Sequence, residues 1–309
     1  MICADPGGAC AGQMADRPRL VESRCLACGE RTELLQAESA MVHSNVRAFA
    51  RERFWVWRCA LCASIHAGEE LELAPYYSQY PFFDVPLDWR LRAIYGEQRH
   101  RLEVAGVRWG DRILDYGCGS GAFVRYLTAS GYEAVAGFDA YNPRYEDASV
   151  LSRRYDCLVS QDVLEHVADP QALLDDFQRL VKPRGLIAIG TPNAAAIDLR
   201  RTEAYKHALH VPYHRHIFSR VALLAAAERR GWSLITYYAT QYANTVVPFL
   251  NSRFYLFFAR TLDDTLDSLL EQPPEIQPCL ARLPSAVACG LCGYYCAEET
   301  DGMAIFRAP

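Results

Sequence analysis

A glycine-rich turn after an apolar run is the first feature whose residue types suit a chemical role. Ile113 and Leu114 lead into Asp115, and glycines follow at positions 117, 119 and 121. Glycine adopts backbone conformations closed to residues with a Cβ, and it lets a ligand lie against the main chain. The spacing differs from the Gly-x-Gly-x-x-Gly of pyrophosphate sites, and Asp115 would repel a phosphate. We therefore expect an uncharged or cationic ligand here.

Four cysteines near the start of the chain have the spacing of a metal site. They form two Cys-x-x-Cys pairs: Cys25 with Cys28, and Cys59 with Cys62. Each pair offers two thiolates from a tight turn, and four sulfur ligands select zinc in a closed tetrahedral site. The pattern predicts a zinc ribbon over residues 21–74, after a disordered tail over residues 1–20. The alternative is four unrelated buried thiols.

A second cysteine group, Cys279, Cys289, Cys292 and Cys296, lies just before the apolar run 303–306. Here we expect a buried hairpin containing Tyr294 and Tyr295 in preference to a second metal site. Cys3 and Cys10 fall in the predicted tail.

Hydrophobic patterning predicts strands and helices that position the glycine turn. Apolar runs predict strands that begin near residues 113, 134, 155, 186, 232 and 303, and helical patterns cover 122–130, 173–181 and 219–230. Gly131 is a natural end for the first helix, and Ser219 is a natural cap for the last. The carboxyl ends of such strands are where open α/β sheets bind ligands.

These segments, in this order, resemble the class I S-adenosylmethionine-dependent methyltransferases of the ubiquinone O-methyltransferase type. The resemblance rests on the glycine turn, on Asp139 after the second apolar run, and on segments 155–170 and 186–193. It implies an α/β, Rossmann-like fold over residues 75–309, with a seven-stranded sheet, helices on both faces and an aromatic insertion at about 240–300. Asp156 follows Asp139 by only 17 positions, so this part of the fold is shortened.

The resemblance also implies S-adenosylmethionine as cofactor. Asp115 would support the turn and the positive end of the ligand, and Asp139 would accept hydrogen bonds from the ribose hydroxyls. Asp147 is either the acid that contacts the adenine amino group or a solvated loop residue. The expected cofactor-binding residues are Asp115, Tyr116, Gly117, Cys118, Gly119, Gly121, Asp139, Ala140, Gln161 and Asp162.

Methylation of a hydroxyl or a carbon acid also requires removal of a proton. Asp162, Glu165 and His166 match the acid-x-x-Glu-His motif of the ubiquinone and small-RNA O-methyltransferases, which implies a divalent cation such as Mg²⁺. His214 stands where a later histidine joins that cation. It also matches the general base of the deoxysugar C-methyltransferases, four positions before a Phe-Ser pair. The candidate catalytic residues are His214, His166, Glu165 and His216.

Several functions stay open at this point. The Asp-x-x-Glu-His motif slightly favours O-methylation of a small metabolite. The zinc ribbon favours C-methylation of a nucleotide-linked deoxysugar, because the C-methyltransferases of deoxysugar biosynthesis carry such a module. A ribbon can also bind RNA, but this chain lacks a basic face. Glu165 and His166 could instead form a structural helix start, with the histidine bonded to backbone.

Composition limits the class of protein. The chain has 309 residues, is 51% hydrophobic and carries a formal charge of −5, which suits a full core and disfavours a polyanion-binding surface. Residues 1–20 lack the apolar core of a signal peptide, and the apolar run 245–258 is interrupted and too short to span a bilayer. We expect a cytoplasmic enzyme that uses neither membrane nor nucleic acid. A leucine stripe at 260–271 predicts a helix that packs on the sheet or forms a homodimer contact.

Overall fold

The computed structural model describes residues 22–34, 37–78, 86–240, 243–270 and 277–309. The strands are β1 (Glu22–Arg24), β2 (Arg31–Glu33), β3 (Ser39–His43), β4 (Arg53–Arg58), β5 (Ile65–Ala67), β6 (Ile113–Tyr116), β7 (Val135–Phe138), β8 (Tyr155–Gln161), β9 (Val181–Pro192), β10 (His216–Ile217), β11 (Ser233–Tyr238) and β12 (Asp301–Arg307). The α-helices are α1 (Ala74–Tyr77), α2 (Trp89–Ala105), α3 (Ala122–Ala129), α4 (Pro170–Leu180), α5 (Thr202–Leu209), α6 (Arg220–Glu228), α7 (Ser252–Thr261), α8 (Asp267–Leu270), α9 (Gln277–Leu280) and α10 (Leu283–Cys292). Short 3-10 turns cover Arg47–Phe49, Ala148–Ser152, Ala194–Ala196, Leu199–Arg201 and Gly293–Cys296.

Six strands form the central sheet, in the order β11-β12-β9-β8-β6-β7. Strands β7, β6, β8 and β9 are parallel, and β12 runs antiparallel between β9 and β11. Successive residues of a strand point to opposite faces. In β6, Leu114 packs in the core with α4 and α6, whereas Ile113 packs with α2 and α3. The sheet therefore carries helices on both faces, and the predicted α/β, Rossmann-like class is confirmed.

The strand number differs from the predicted seven, because the described residues supply six strands to this sheet. The difference lies in the shortened segment between Asp139 and Asp156. After β7 the chain makes only a short 3-10 turn, Ala148–Ser152, before it enters β8. That segment is too short for both a crossover helix and a further parallel strand.

The N-terminal module shares its sheet with the rest of the chain. Its strands β3, β4 and β5 pair in that order, and β10, from much later in the sequence, pairs with β5 to complete a four-stranded sheet. Its apolar residues are also shared, because Trp55 and Trp57 belong to the same core as Phe177 and Leu223. The module predicted at residues 21–74 is thus packed against the segment predicted at 75–309. The tail predicted at residues 1–20, with Cys3 and Cys10, lies outside the described residues.

Two predictions for the C-terminal region are wrong. The leucine stripe at 260–271 is not one helix, because α7 ends at Thr261 and a turn with Asp264 in the left-handed region separates it from α8. The segment predicted as a buried hairpin is α10 followed by a 3-10 turn, and Tyr295 is 83% exposed. Within the described residues, no helix is both long and apolar enough to cross a membrane.

Candidate functional site

The glycine turn joins β6 to α3 with three glycines in the left-handed region. Gly117, Gly119 and Gly121 have φ values of 77°, 52° and 71°. At Gly117 a Cβ would lie 2.2 Å from a methyl carbon of Val163, so the turn packs closely on the loop after β8. The amides of Gly117 and Cys118 both donate to the carbonyl of Phe138, at 2.7 and 3.1 Å. The backbone is thereby held as a shallow cradle at the carboxyl end of β6.

Asp139 follows β7 and lies directly beside this turn. One carboxylate oxygen accepts from the Gly119 amide at 2.8 Å, and the other accepts from the Tyr141 amide at 2.9 Å. Asn142 donates to the Gly119 carbonyl at 2.7 Å from the same loop. A carboxylate oxygen has two lone pairs, so each oxygen of Asp139 can accept one more hydrogen bond. Ala140, next in the chain, is exposed.

Asp115 lies at the end of β6 and is 5% exposed. Burial raises the pKa of its carboxyl to about 7, and the negative charge of Asp139 acts in the same direction. Tyr116, the last residue of β6, packs its ring on Phe138 and Phe177. Of the predicted cofactor contacts, Asp115 and Asp139 are thus adjacent carboxyl groups at the turn, while Tyr116 lies against the core.

Glu165 and His214 face each other in a buried cluster beyond the carboxyl end of β8. The His214 Nε2 lies 3.8 Å from the Glu165 Oε1, and its Nδ1 lies 3.0 Å from the Ala208 carbonyl. The second carboxylate oxygen of Glu165 accepts from the Thr191 hydroxyl at 3.0 Å. Glu165 Oε1 is buried and has no hydrogen-bond partner among the described residues.

His166 and His210 complete the cluster. The His166 ring centroid is 4.9 Å from that of His214, and its Nδ1 lies 3.0 Å from the Tyr77 hydroxyl. The His210 centroid is also 4.9 Å from that of His214, and its Nδ1 lies 2.7 Å from the Asn45 side-chain oxygen. Two predicted catalytic residues, His166 and His214, are therefore brought together with Glu165.

Burial sets the charge state of this cluster. It raises the pKa of Glu165 well above its usual value, with Asp162 adding to the effect, and it lowers that of His214 well below its usual value, with His166 adding. Burial likewise lowers the pKa of His166 to about 4. The imidazoles are therefore neutral at pH 7, which is the form that binds metal ions.

One carboxylate oxygen and two imidazole nitrogens, from Glu165, His166 and His214, lie within 4.8 Å of one another. This is a donor set for a divalent cation. His216, the fourth predicted catalytic residue, has a different place in the structure. Its Nε2 donates to the Leu164 carbonyl at 2.8 Å, and its backbone pairs with His66 across β10 and β5. The geometry gives His216 a structural contact outside this donor set.

Asp162 follows β8 with a φ of 54°, a conformation that is uncommon outside glycine. Its carboxylate accepts from Gln161 at 2.9 Å, and burial together with the charge of Asp301 raises its pKa to about 7. Asp162 lines a cavity of about 410 Å³ between α2, α5 and α7. Apolar wall residues include Ile94, Tyr255 and Leu256. The cavity is large enough for a small ring-shaped molecule beside the predicted cofactor site.

The four cysteines of the N-terminal module converge as predicted. Their sulfur atoms lie within 4.8 Å of one another, with Cys25 at 3.5 Å from Cys62 and Cys28 at 3.7 Å from Cys59. The Cys25–Cys62 hydrogen bond raises the pKa of Cys25 and lowers that of Cys62. Four sulfurs at this separation fit a tetrahedral zinc ion. Among the described residues, Cys279, Cys289, Cys292 and Cys296 form no such cluster.

Three residues of the site were not predicted from the sequence. Tyr77, Asn45 and Thr191 contact His166, His210 and Glu165 from distant parts of the chain, and none carries a motif. Asp147 has a different local partner, because its carboxylate accepts from the Ser149 amide and caps the 3-10 turn that follows.

Part of the chain is similar to known proteins. Residues 89–237 match a family model described as a methyltransferase domain. Two ubiquinone biosynthesis O-methyltransferases are similar: that of Cereibacter sphaeroides (strain ATCC 17025) is 31% identical over 127 residues, and that of Dinoroseobacter shibae is 31% identical over 130 residues. Each match covers 35% of this chain, and 51% and 52% of the respective relative. The chain thus spans about half the length of these relatives.

Among solved structures, a S-adenosylmethionine-dependent methyltransferase from Mesorhizobium loti is 17% identical with a TM-score of 0.42, and covers 68% of this chain and 97% of its own. Coclaurine N-methyltransferase is 15% identical with a TM-score of 0.42, and covers 69% and 71%. Residues 89–237 are thus similar to a methyltransferase domain, and they contribute five of the six strands of the central α/β sheet.

Proposed function

We propose that this protein is an S-adenosylmethionine-dependent methyltransferase that methylates a hydroxyl group of a small metabolite. The methyltransferase-domain match and the similarity to ubiquinone O-methyltransferases support the reaction class. The glycine turn, with Asp115 and Asp139 beside it, supports a cationic nucleoside cofactor in preference to a phosphate. The net charge of −5 supports a small-molecule acceptor in preference to nucleic acid.

The observation that carries the oxygen acceptor is the facing pair of Glu165 and His214. Nδ1 of His214 donates to the Ala208 carbonyl, so Nε2 of the neutral ring carries a lone pair. That nitrogen faces a carboxylate oxygen at 3.8 Å, and the oxygen has no donor among the described residues. Such a pair is favourable when Glu165 keeps its proton, as its raised pKa allows, or when a cation takes the place of that proton.

Glu165, His166 and His214 fit a divalent cation in number, charge and burial. Imidazole nitrogens favour transition metals, whereas carboxylates also suit Mg²⁺ and Mn²⁺, so the set as a whole suits Mn²⁺ better than Mg²⁺. A bound divalent cation would lower the pKa of an acceptor hydroxyl. Thr191 orients Glu165, Ala208 fixes the tautomer of His214, and the cavity beside Asp162 holds the apolar part of the acceptor.

A second candidate is carbon methylation of a nucleotide-linked deoxysugar, with His214 as general base. It is favoured by the way the N-terminal module contributes Asn45 to the histidine cluster. A cavity of about 610 Å³ between the module and Val211–Arg215 has room for a sugar nucleotide. The low pKa of His214 makes it a weak base, so we place this function second.

We further propose that Cys25, Cys28, Cys59 and Cys62 hold one structural zinc ion. The support is the convergence of the four sulfurs within 4.8 Å. A closed four-sulfur site leaves no vacancy for substrate, so this ion would stabilise the module and take no part in methyl transfer.

Elemental analysis combined with titration of S-adenosylmethionine and Mn²⁺ tests these proposals. One zinc per chain, saturable cofactor binding and a Mn²⁺ site lost in Glu165→Gln would support metal-assisted O-methylation. Glu228→Gln, on the exposed side of α6, is the matched control. Absence of a Mn²⁺ site would favour the general-base alternative, and absence of cofactor binding would contradict the methyltransferase proposal itself.

A further inference from the structure

His66 lies on β5, beside the four cysteines, and no sequence motif marks it. Its side chain is buried, and its Nε2 lies 3.1 Å from the sulfur of Cys25. Cys25 is itself fully buried. A ring nitrogen at this distance from a thiolate is placed to donate an N–H···S hydrogen bond.

The surroundings of His66 fix its ring. The indole of Trp57, directly opposite it on β4, packs at a centroid separation of 4.6 Å and an interplanar angle of 31°. On the other side, the His66 backbone pairs with His216 of β10. Both neighbours belong to regular strands, so the ring is presented to Cys25 by a rigid sheet.

The electrostatics of a four-thiolate site explain what such a donor does. Four thiolates around Zn²⁺ leave a formal charge of −2, and this charge is costly in a buried environment. Hydrogen bonds to the sulfurs spread that charge, and in metal sites generally such supporting partners orient the ligands and tune affinity. The Thr32 hydroxyl lies 3.8 Å from Cys59, and Cys62 lies 3.2 Å from the Ser64 hydroxyl. The backbone amides of Ala27 and Cys28 bond to the Cys25 sulfur, and His66 adds a side-chain contact to it.

We propose that His66 is a positioning residue for the zinc site, which donates a hydrogen bond from Nε2 to the Cys25 thiolate. The inference rests on the proposed four-cysteine zinc site. It also connects that site to the histidine cluster through the sheet, because His66 pairs with His216 of β10, and β10 begins two residues after His214. The Leu164 and Glu165 carbonyls accept from the His216 ring and from the Arg215 amide, at 2.8 and 2.9 Å.

Zinc affinity, measured by competition with a chromophoric chelator, tests the inference. His66→Phe and His66→Met remove the donor while keeping apolar bulk, and each should weaken zinc binding about 10- to 100-fold. His66→Gln keeps an N–H donor and should retain most of the affinity. The control is His43→Gln, on β3, where the ring is half-exposed and pairs with Glu203.

Cobalt substitution supplies a second readout, since the thiolate-to-cobalt charge-transfer band of the wild type should shift in both donor-free variants. Wild-type affinity in His66→Phe and His66→Met would overturn the proposal. Equal weakening in all three His66 variants would also overturn it, because packing alone would then explain the effect. A wild-type protein that binds no zinc would overturn the zinc site together with this inference, whereas a failure confined to His66 leaves the zinc site standing.

Discussion

Asp139 shows how much a single side chain can do at this turn. Its two oxygens hold the amides of Gly119 and Tyr141, which fixes the glycine turn against the loop after β7. The remaining lone pairs are free to accept from a vicinal diol such as the ribose of S-adenosylmethionine. The same carboxylate thus shapes the cradle and, in our proposal, binds the ligand.

We predict that Asp139→Ala weakens S-adenosylmethionine binding by about 100-fold or more. A hydrogen bond to a charged group is worth about 1.5–3 kcal/mol, and the variant would lose two to the ribose and loosen the turn. Isothermal titration calorimetry measures the change. Glu228→Ala, on the exposed side of α6, is the control. Unchanged affinity in Asp139→Ala would contradict the ribose assignment.

We predict that cofactor binding depends on pH because of the raised pKa of Asp115. Its pKa is raised to about 7 by burial and by Asp139, so the carboxyl is largely neutral at pH 6 and ionised at pH 8. A cationic ligand binds the ionised form better, and affinity should rise with pH through about 7. The measurement is a series of titrations from pH 6 to pH 8, and Asp115→Asn should flatten the series.

The same shift has a consequence for stability. The pKa of an aspartate carboxyl is about 3.9 in the unfolded chain and, for Asp115, about 7 in the folded protein. The free energy of unfolding therefore falls as the pH rises from about 3.9 toward about 7. At pH 8, Asp115→Asn should therefore resist urea better than the wild type does. At pH 4 the two proteins should differ less. A wild type that is as stable as Asp115→Asn at pH 8 would argue against a buried, proton-binding Asp115.

At the scale of elements, the sequence predicts the ends of helices best, because these depend on interactions within a few residues. Gly131 closes α3 and Ser219 caps α6 as expected, because cap preferences act within one turn of a helix. Local sequence patterns predict the wrong element where packing between distant residues determines the structure. Segment 289–296 has the composition of a hairpin, yet Gly290 belongs to α10 and packs on Phe249.

The site shows the same division. Glu165 and His166 are marked by a local motif, and His214 by its spacing to Phe218 and Ser219, so these residues could be found from the sequence. Nothing local marks Asn45, Tyr77 or His66, because each meets its partner across long stretches of sequence. Hydrogen bonds between distant elements depend on the folded topology, which a motif does not encode.

Ser219 offers a test of how the elements are joined. Its hydroxyl accepts from the Ala222 amide as the cap of α6 and donates to the Cys62 carbonyl at 2.5 Å. Ser219→Ala should lower the free energy of unfolding by about 1–2 kcal/mol, the usual cost of losing a helix cap. Urea denaturation measures this loss. Ser130→Ala, at the half-buried C-terminal end of α3, should stay within about 0.5 kcal/mol of the wild type, and an equal loss in both would count against the cap.

At the scale of the whole molecule, the N-terminal module and the α/β domain form one packed unit around the histidine cluster. Strand β10 belongs to the module's sheet and lies two residues after His214 in the chain. The apolar core that contains Val42 and Val56 of the module also contains Leu209 and Val211, on either side of His210. We therefore expect order in the cluster to depend on order in the module.

We accordingly predict that loss of the zinc ion weakens cation binding at Glu165, His166 and His214. In Cys28→Ala, where a half-buried ligand is removed, strand β5 should lose its anchor and β10 its pairing, so Glu165 and His214 would no longer face each other. Mn²⁺ binding, followed by electron paramagnetic resonance, should weaken about 10-fold or more, the scale typical of lost supporting contacts. Cys296→Ala, an exposed cysteine outside the cluster, should bind Mn²⁺ as the wild type does. If Cys28→Ala loses zinc and still binds Mn²⁺ normally, the cluster is held by the α/β domain alone, and the shared sheet stabilises the fold without affecting the site.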